Sequence, residues 1–182
     1  MKKYLSILII ILAIVFASGC TDNGNETSGN VLNNTKVYNG DGFTFEYPLD
    51  WETIVSQGRD SIVAVGDPNS ADASGNAGVN VVIQKTVKPQ GMQLKDYYNA
   101  TYTQFASGNV SFVPVSDGTI VINGITAYEN VYKVNSGGQK QQRAIWIPHN
   151  NLIYIILCSA PVSDYNNQQE NFNKIINSFK FI

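Results

Sequence analysis

From Val37 onward the chain consists of short segments in which apolar and polar residues alternate, separated by sequences typical of tight turns. In the clearest segment, residues 43–47 (Phe-Thr-Phe-Glu-Tyr), three aromatic rings fall on one side of an extended strand. Turn sequences stand at residues 39–42 (Asn-Gly-Asp-Gly) and at Asn123-Gly124. Since short turns join only antiparallel neighbours, the pattern predicts a mainly antiparallel sheet with those aromatic rings in its core.

The other extended segments are bounded by turn residues in the same way. They cover residues 53–55, 61–65, 79–86, 109–115, 119–122, 126–134, 139–147 and 152–159.

Two segments have helical periodicity instead. The first, Leu94–Ser107, ends before Gly108, and the second is predicted over Asp164–Ser178 with Ser163 as its N-cap. Each carries a single apolar stripe, which a helix buries against another element. The fold class predicted is therefore α+β, an antiparallel sheet covered by helices. The stripes contain Leu94, Tyr97, Tyr98, Thr101, Tyr102 and Phe105 in the first helix, and Phe172, Ile175, Ile176 and Phe179 in the second.

The N-terminus has the layout of an export signal. Lys2 and Lys3 precede an apolar run over residues 4–16, which is shorter than the roughly 20 residues that a spanning helix needs. The following Ala-Ser-Gly-Cys, ending at Cys20, resembles the lipobox of prokaryotic lipoproteins. That resemblance implies cleavage before Cys20 and a lipid on its thiol. An uncleaved membrane helix and an ordinary secretory signal remain as alternatives.

The boundaries expected from these features are a signal peptide at residues 1–19, a lipidated Cys20 with a polar tether at 20–36, and one domain at 37–182. The tether contains little apolar sequence and no periodicity. The chain has 12 basic and 14 acidic residues, and loss of Lys2 and Lys3 with the signal leaves a net charge of −4. This acidity disfavours a nucleic-acid partner and fits a protein on the outer face of the cell membrane.

Catalytic motifs are absent from the sequence. His149 is the only histidine, and the turn around it predicts a solvated side chain. Cys158 lies in the apolar run 152–158, which predicts a buried, inert thiol. We therefore expect no enzyme activity and no cofactor. A thiol-dependent enzyme using Cys158, with His149 on the adjacent strand, is the alternative.

Oxygen ligands are concentrated in one loop, where Asp67, Asn69 and Asp72 lie close together. The spacing departs from the calcium-loop pattern, so a polar loop is the favoured interpretation and a small-ligand or metal site the alternative. Four sequons for N-glycosylation also occur, and they matter only if the host glycosylates exported proteins. Their asparagines are Asn25, Asn33, Asn99 and Asn109.

Several segments of the chain are similar to the PsbP-like family. The main one is residues 42–52 (Gly-Phe-Thr-Phe-Glu-Tyr-Pro-Leu-Asp-Trp-Glu), supported by Gly-Asp-Pro at 66–68, Leu-Lys-Asp-Tyr at 94–97 and the closing residues 175–179. The resemblance implies an antiparallel sheet between helices and a non-catalytic accessory role at a membrane surface. It does not imply a photosynthetic role. The function expected is a lipid-anchored binding or assembly module for an envelope protein complex.

Overall fold

The computed structural model describes residues 34–182, except for 57, 59, 109, 110, 136 and 137. Cys20 and the sequon asparagines Asn25, Asn33 and Asn109 lie outside the described residues. The strands are β1 (Thr35–Gly40), β2 (Phe43–Pro48), β3 (Glu52–Ile54), β4 (Ser61–Gly66), β5 (Asn80–Val87), β6 (Phe112–Ile122), β7 (Ile125–Asn135), β8 (Gln139–His149), β9 (Leu152–Pro161) and β10 (Lys180–Phe181). The helices are α1 (Leu94–Ser107) and α2 (Gln169–Ser178).

Seven strands form the main sheet, in the order β3-β4-β5-β9-β8-β7-β6, and every pairing is antiparallel. The antiparallel prediction is therefore confirmed. Strands β6 to β9 follow one another through hairpins, whereas β5 pairs with β9 after a long excursion of the chain through α1. This arrangement places β9 and β8 in the middle of the sheet and leaves β6 at one edge.

A second, three-stranded sheet has the order β1-β2-β10. Asp41 and Gly42 make the turn between β1 and β2 with φ values of 54° and 83°, a conformation that glycine and short polar residues tolerate best. The first strand predicted from alternation is β2, and Phe43, Phe45 and Tyr47 are buried as expected. The sequence pattern did not separate this small sheet from the main one, because β10 has only two residues.

The main sheet buries both of its faces around β9. Tyr154, Ile156 and Cys158 point to the face that packs against the small sheet and α2, and all belong to one core cluster with Phe43 and Phe172. The alternate residues of β9 point to the opposite face and pack with α1 and Trp146 in a second cluster. A strand buried on both sides requires a continuous apolar run, which is the pattern of residues 152–158.

α1 has the bounds predicted from its periodicity. Its buried tyrosines are hydrogen-bonded to the main sheet. The Trp146 indole N–H donates to the Tyr102 hydroxyl at 3.1 Å, and the Tyr98 hydroxyl donates to the Glu129 carbonyl at 2.7 Å. Burial raises the pKa of Tyr98 to about 12 and that of Tyr102 well above its ordinary value. These hydroxyl groups therefore stay neutral and hold the helix on the sheet.

The predicted start of the second helix is wrong. Residues Tyr165–Gln168 form a 3-10 turn, and α2 begins only at Gln169. Ser163 is therefore not the N-cap. Tyr165 is inserted into the core, and its ring packs 5.9 Å from that of Phe172, which fixes the chain in the tighter turn before the helix starts. The predicted stripe of α2 is correct, since Phe172, Ile175 and Ile176 are buried, as is Phe179 just after it.

The fold class is α+β, with a large share of strand and two helices. α2 shares its face of the main sheet with the small sheet, so helices alone do not form the cover that was expected. Residues 112–115 of one predicted strand and 119–122 of the next belong to a single strand, β6, which continues through an irregularity between Pro114 and Ser116. Within the described part of the chain, no helix is long and apolar enough to cross a bilayer.

Candidate binding site

The two ends of the domain differ in what they carry. One end of the domain contains Thr35, where β1 begins and which pairs with Pro48. β1 then runs to Gly40, opposite Phe43, a span of about 17 Å at roughly 3.4 Å per residue. Phe43 also pairs with Phe181 of β10. We call the end that contains the Asp41-Gly42 turn and β10 the distal end, because it lies away from the start of β1.

A cleft of about 210 Å³ opens at the distal end, between β10 and the β6–β7 hairpin. We call it the distal cleft. Its walls are mostly apolar and are formed by Ile122, Ile125, Ile147, Phe179 and Phe181. Three polar side chains complete the lining, those of Asn123, His149 and Lys180. The ionisable side chains in this lining are both basic.

His149 does not have the solvated position that the sequence predicted. Its imidazole stacks on the ring of Phe181 with 3.8 Å between centroids and an interplanar angle of 19°, and it meets Tyr154 edge-on. The prediction for His149 was wrong because β8 extends to this residue and β10 brings Phe181 against its side chain. A two-residue strand far along the chain gives no sequence signal that would reveal this contact.

Asn123 closes the cleft on the hairpin side. Its Nδ2 donates to the carbonyl of Phe179 at 2.5 Å, which ties the β6–β7 hairpin to the chain entering β10. The Asn123-Gly124 turn was predicted, and both residues have the positive φ that such a turn requires, 46° and 81°. The turn residue thus has a second role, as the link between the two sheets, that turn preference alone does not show.

Cys158 is fully buried in β9, as predicted. Burial raises the pKa of its thiol to about 12, and nearby Arg143 offsets this only in part. Cys158 pairs with Arg143, whereas His149 pairs with Leu152 at the other end of the same hairpin. Six residues along β8 correspond to roughly 20 Å, so the structure does not bring Cys158 and His149 together.

The loop between β4 and β5 uses its carboxylates for its own shape. Asp67 accepts from the backbone N–H of Asn69 at 2.9 Å, and Asp72 accepts from those of Ser74 and Asn76 at 2.8 and 3.0 Å. These bonds lower the pKa of Asp72. Within the described ranges no group of three or more His, Cys, Asp or Glu side chains is placed to hold a metal ion. The carboxylates of Asp67 and Asp72 thus accept hydrogen bonds from their own loop, and a metal site at Asp67, Asn69 and Asp72 stays a prediction.

Of the four sequon asparagines, Asn99 is described, and its side chain is exposed on α1. The hydroxyl of Thr101, the third residue of that sequon, is buried and donates to the carbonyl of Tyr97 at 2.9 Å. The sequon is thus half hidden in the folded domain, and its use as an acceptor stays a prediction.

The second surface of interest is the edge strand β6. It pairs with β7 on one side, and in the part of the chain that is described no strand pairs with its other side. Val113, Val115 and Val121 on this strand are 52%, 50% and 70% exposed. Unpaired strand edges can accept another extended chain. Periodicity predicted strands here but could not show that they are one strand at the edge.

The thiol of Cys158 provides a test of the core. In the chain with Cys20→Ser, where Cys158 is the remaining cysteine, we expect iodoacetamide to label the native protein very slowly at every pH from about 7 to 9, because the neutral, buried thiol is a poor nucleophile. In denaturing urea the labelling rate should increase with pH, as expected for an exposed thiol with a pKa of about 8.5. Rapid, pH-dependent labelling of the native protein, followed by mass spectrometry, would contradict the burial and revive the thiol-enzyme alternative.

Comparison with known proteins gives the same fold. The family model described as PsbP-like protein matches residues 5–181. The solution structure of PsbP from the cyanobacterium Synechocystis is 16% identical, with 87% of this chain and 100% of that chain covered and a TM-score of 0.62.

Two further solved structures share the fold. LpqN of Mycobacterium tuberculosis is 12% identical, with 81% of this chain and 91% of that chain covered and a TM-score of 0.56. The Ran-binding protein Mog1p of Saccharomyces cerevisiae is 9% identical, with 81% and 95% covered and a TM-score of 0.54. Among the curated proteins no sequence matches. Since the family model spans nearly the whole chain, the protein belongs to the PsbP-like family.

Proposed function

We propose that this protein is a non-enzymatic binding or assembly module, anchored through lipid on Cys20 to the outer face of the cell membrane, whose partner is another envelope protein. The observation that carries the proposal is the unpaired edge of β6. The second half of this strand, which includes the exposed Val121, offers a partner both apolar surface and backbone hydrogen bonds. The partner's contribution is an extended segment that adds to the main sheet next to β6.

The pairing register of the β6–β7 hairpin predicts which backbone groups of β6 are available to a partner. In a two-residue turn the flanking residues, Ile122 and Ile125, bond to each other through their backbones, and bonding alternates from there along the strand. Gly118 and Ile120 therefore bond to β7, whereas the N–H and C=O groups of Thr119 and Val121 point away from the sheet. We call the row of outward-pointing backbone groups on β6, which includes those of Thr119 and Val121, the docking edge.

Pro114 is consistent with this geometry. Proline lacks an N–H, so it is tolerated where the backbone nitrogen faces away from the neighbouring strand. With the irregularity between Pro114 and Ser116, it makes the first half of β6 a poor template for pairing. The second half, from Asp117 to Ile122, has no such protection, which limits the docking edge to that half.

Relatives with the same fold support a binding role. LpqN is involved in cell envelope biogenesis, and Mog1p is a Ran-binding protein. For this chain the proposal takes from them only the class of role, binding at an envelope.

The anchor makes a first prediction. Expressed in a host with lipoprotein processing, the protein should be cleaved before Cys20 and carry a lipid, and its intact mass should show both changes. Cys20→Ser should leave the chain unprocessed or release it from the membrane, because the acyl chains supply about 0.8 kcal/mol for each buried CH₂ group. Cys158→Ser is the matched control and should be processed normally. A mature protein without lipid that still fractionates with membranes would contradict the anchor.

The docking edge makes a second prediction. A photoreactive benzoylphenylalanine at Asp117, which is exposed on β6, should cross-link to one defined envelope protein in membranes of the natural host. The same group at exposed Lys95, on α1, should not. Thr119→Pro should abolish the cross-link, because it removes an outward N–H and places a ring on the docking edge.

Stability measurements separate docking from folding. Thr119→Pro should lower the free energy of unfolding by about 1 kcal/mol or less, because it breaks no bond to β7. Ile120→Pro removes an N–H group that donates to β7. In urea denaturation it should therefore lower the free energy of unfolding by about 1–3 kcal/mol more than Thr119→Pro does. Recovery of only the uncross-linked monomer from every β6 position, in a protein with normal stability, would contradict the proposed function.

A further inference from the structure

The distal cleft is a second contact surface that the docking edge does not use. Its lining residues on the main sheet, such as Ile125 and Ile147, belong to the face that packs with α2 and the small sheet. The outward groups of Thr119 and Val121 belong to the edge of that sheet. The cleft is therefore a surface separate from the docking edge.

The size of the cleft limits what can fill it. Its volume of about 210 Å³ is below the range of roughly 300–1,000 Å³ that small-molecule sites occupy. A single large apolar side chain displaces a comparable volume, and such anchors in pockets are a common basis of protein–protein binding.

The lining chemistry defines the occupant further. The apolar walls exclude a polar side chain, and the flat stack of His149 on Phe181 provides a face suited to a ring. The ionisable residues of the lining are His149 and Lys180, so a carboxylate next to the inserted side chain can pair with a basic group. A cation in the same place would be repelled.

Backbone groups beside the cleft favour an extended segment. The N–H of Ile182 donates to the carbonyl of Gly42 at 3.1 Å, which makes this pair a bonded one and, by alternation, turns the backbone of Phe181 away from β2. β10 is an edge of the small sheet and Phe181 lines the cleft, so the outward backbone groups of Phe181 lie beside the cleft. Phe181 thus offers a donor and an acceptor to a chain lying there.

The protein's own tether does not supply the occupant. In the processed chain its apolar residues before the domain are Val31 and Leu32, three or four residues ahead of Thr35. That length reaches about 14 Å at most, less than the roughly 17 Å along β1 that separates Thr35 from the distal end. Residues 21–30 can reach farther but contain no large apolar side chain.

We infer that the distal cleft is an anchor site for a partner protein, which inserts one large apolar side chain flanked by a carboxylate. The inference rests on the proposed function, because it assigns a contact to the partner of a binding module. It adds a determinant of specificity, since backbone pairing along β6 selects no particular sequence whereas the cleft selects an apolar residue next to an acid.

The test uses the mature chain with Cys20→Ser and the peptide acetyl-Ser-Glu-Phe-Glu-Ser-amide as the probe. In two-dimensional amide NMR the peptide should shift the signals of Asn123, His149 and Phe181, with a dissociation constant of about 0.1–1 mM, as expected for a single anchor. Two control peptides, with Ala in place of Phe or Lys in place of both Glu, should bind at least about fivefold more weakly.

Two pairs of protein variants locate the site. Ile125→Trp, which fills the cleft, should abolish the shifts, whereas Val87→Trp, on an exposed residue of β5, should not. Lys180→Glu should weaken binding about threefold to tenfold, whereas Lys95→Glu on α1 should leave it unchanged. Thermal unfolding midpoints close to that of the parent show that each variant is folded.

The outcomes separate this inference from the proposed function. Binding of the Lys peptide as tightly as the Glu peptide, shifts that persist in Ile125→Trp, shifts confined to residues outside the cleft, or concentration-dependent self-association without peptide binding would each overturn the anchor site. If the β6 cross-link forms but the peptide does not bind, the anchor site fails and the proposed function stands. If the peptide binds in the cleft but no partner is cross-linked, the proposed function fails and the cleft remains a peptide site.

Discussion

The burial of β9 on both faces is the constraint on which the rest of the structure depends. Ile153, Ile155 and Leu157 complete the core under α1, while Tyr154, Ile156 and Cys158 complete the core under the small sheet and α2. Each fully buried apolar side chain contributes about 1.5–3 kcal/mol relative to exposure. Because one strand supplies both cores, a shift of one residue in its pairing with β5 or β8 would exchange the two sets of side chains and disrupt both.

The same constraint explains where the functional surfaces lie. β9 and β8 are enclosed, whereas β6 lies at an edge of the main sheet and the distal cleft opens beside β10. The edge and the cleft lie on elements joined by the Asn123-Gly124 turn, and the Asn123 bond to Phe179 connects them mechanically. Thr35, where β1 begins, lies at the opposite end of the domain from the distal cleft.

Much of this fold could be predicted from the sequence, because the main signals are local. The alternation in β2, the periodicity of α1 and the apolar run of β9 each reflect burial of residues that are close in sequence. The weaker features depend on distant contacts. β10 has only two residues, and it pairs with β2, which is more than 130 residues away in the sequence, so no local pattern predicts this pairing.

The candidate site was missed for the same reason. The distal cleft combines a hairpin turn, the end of β8 and β10, which are far apart in the chain, and His149 took its position from Phe181 rather than from its own turn. The N-cap assigned to Ser163 failed because insertion of Tyr165 into the core outweighed a local capping preference. The binding role itself, and the lipid on Cys20, stay predictions.

The central claim is that the second half of β6 is an open edge in the free protein, and native-state amide hydrogen exchange tests it most directly. The amide protons of Gly118 and Ile120, which bond to β7, should be protected, whereas those of Thr119 and Val121 should exchange at nearly the rates of an unstructured chain. Such alternation in the mature protein would support an edge open to a partner. Equal, strong protection of all four amide protons would contradict it, because another part of the chain would then already occupy the edge.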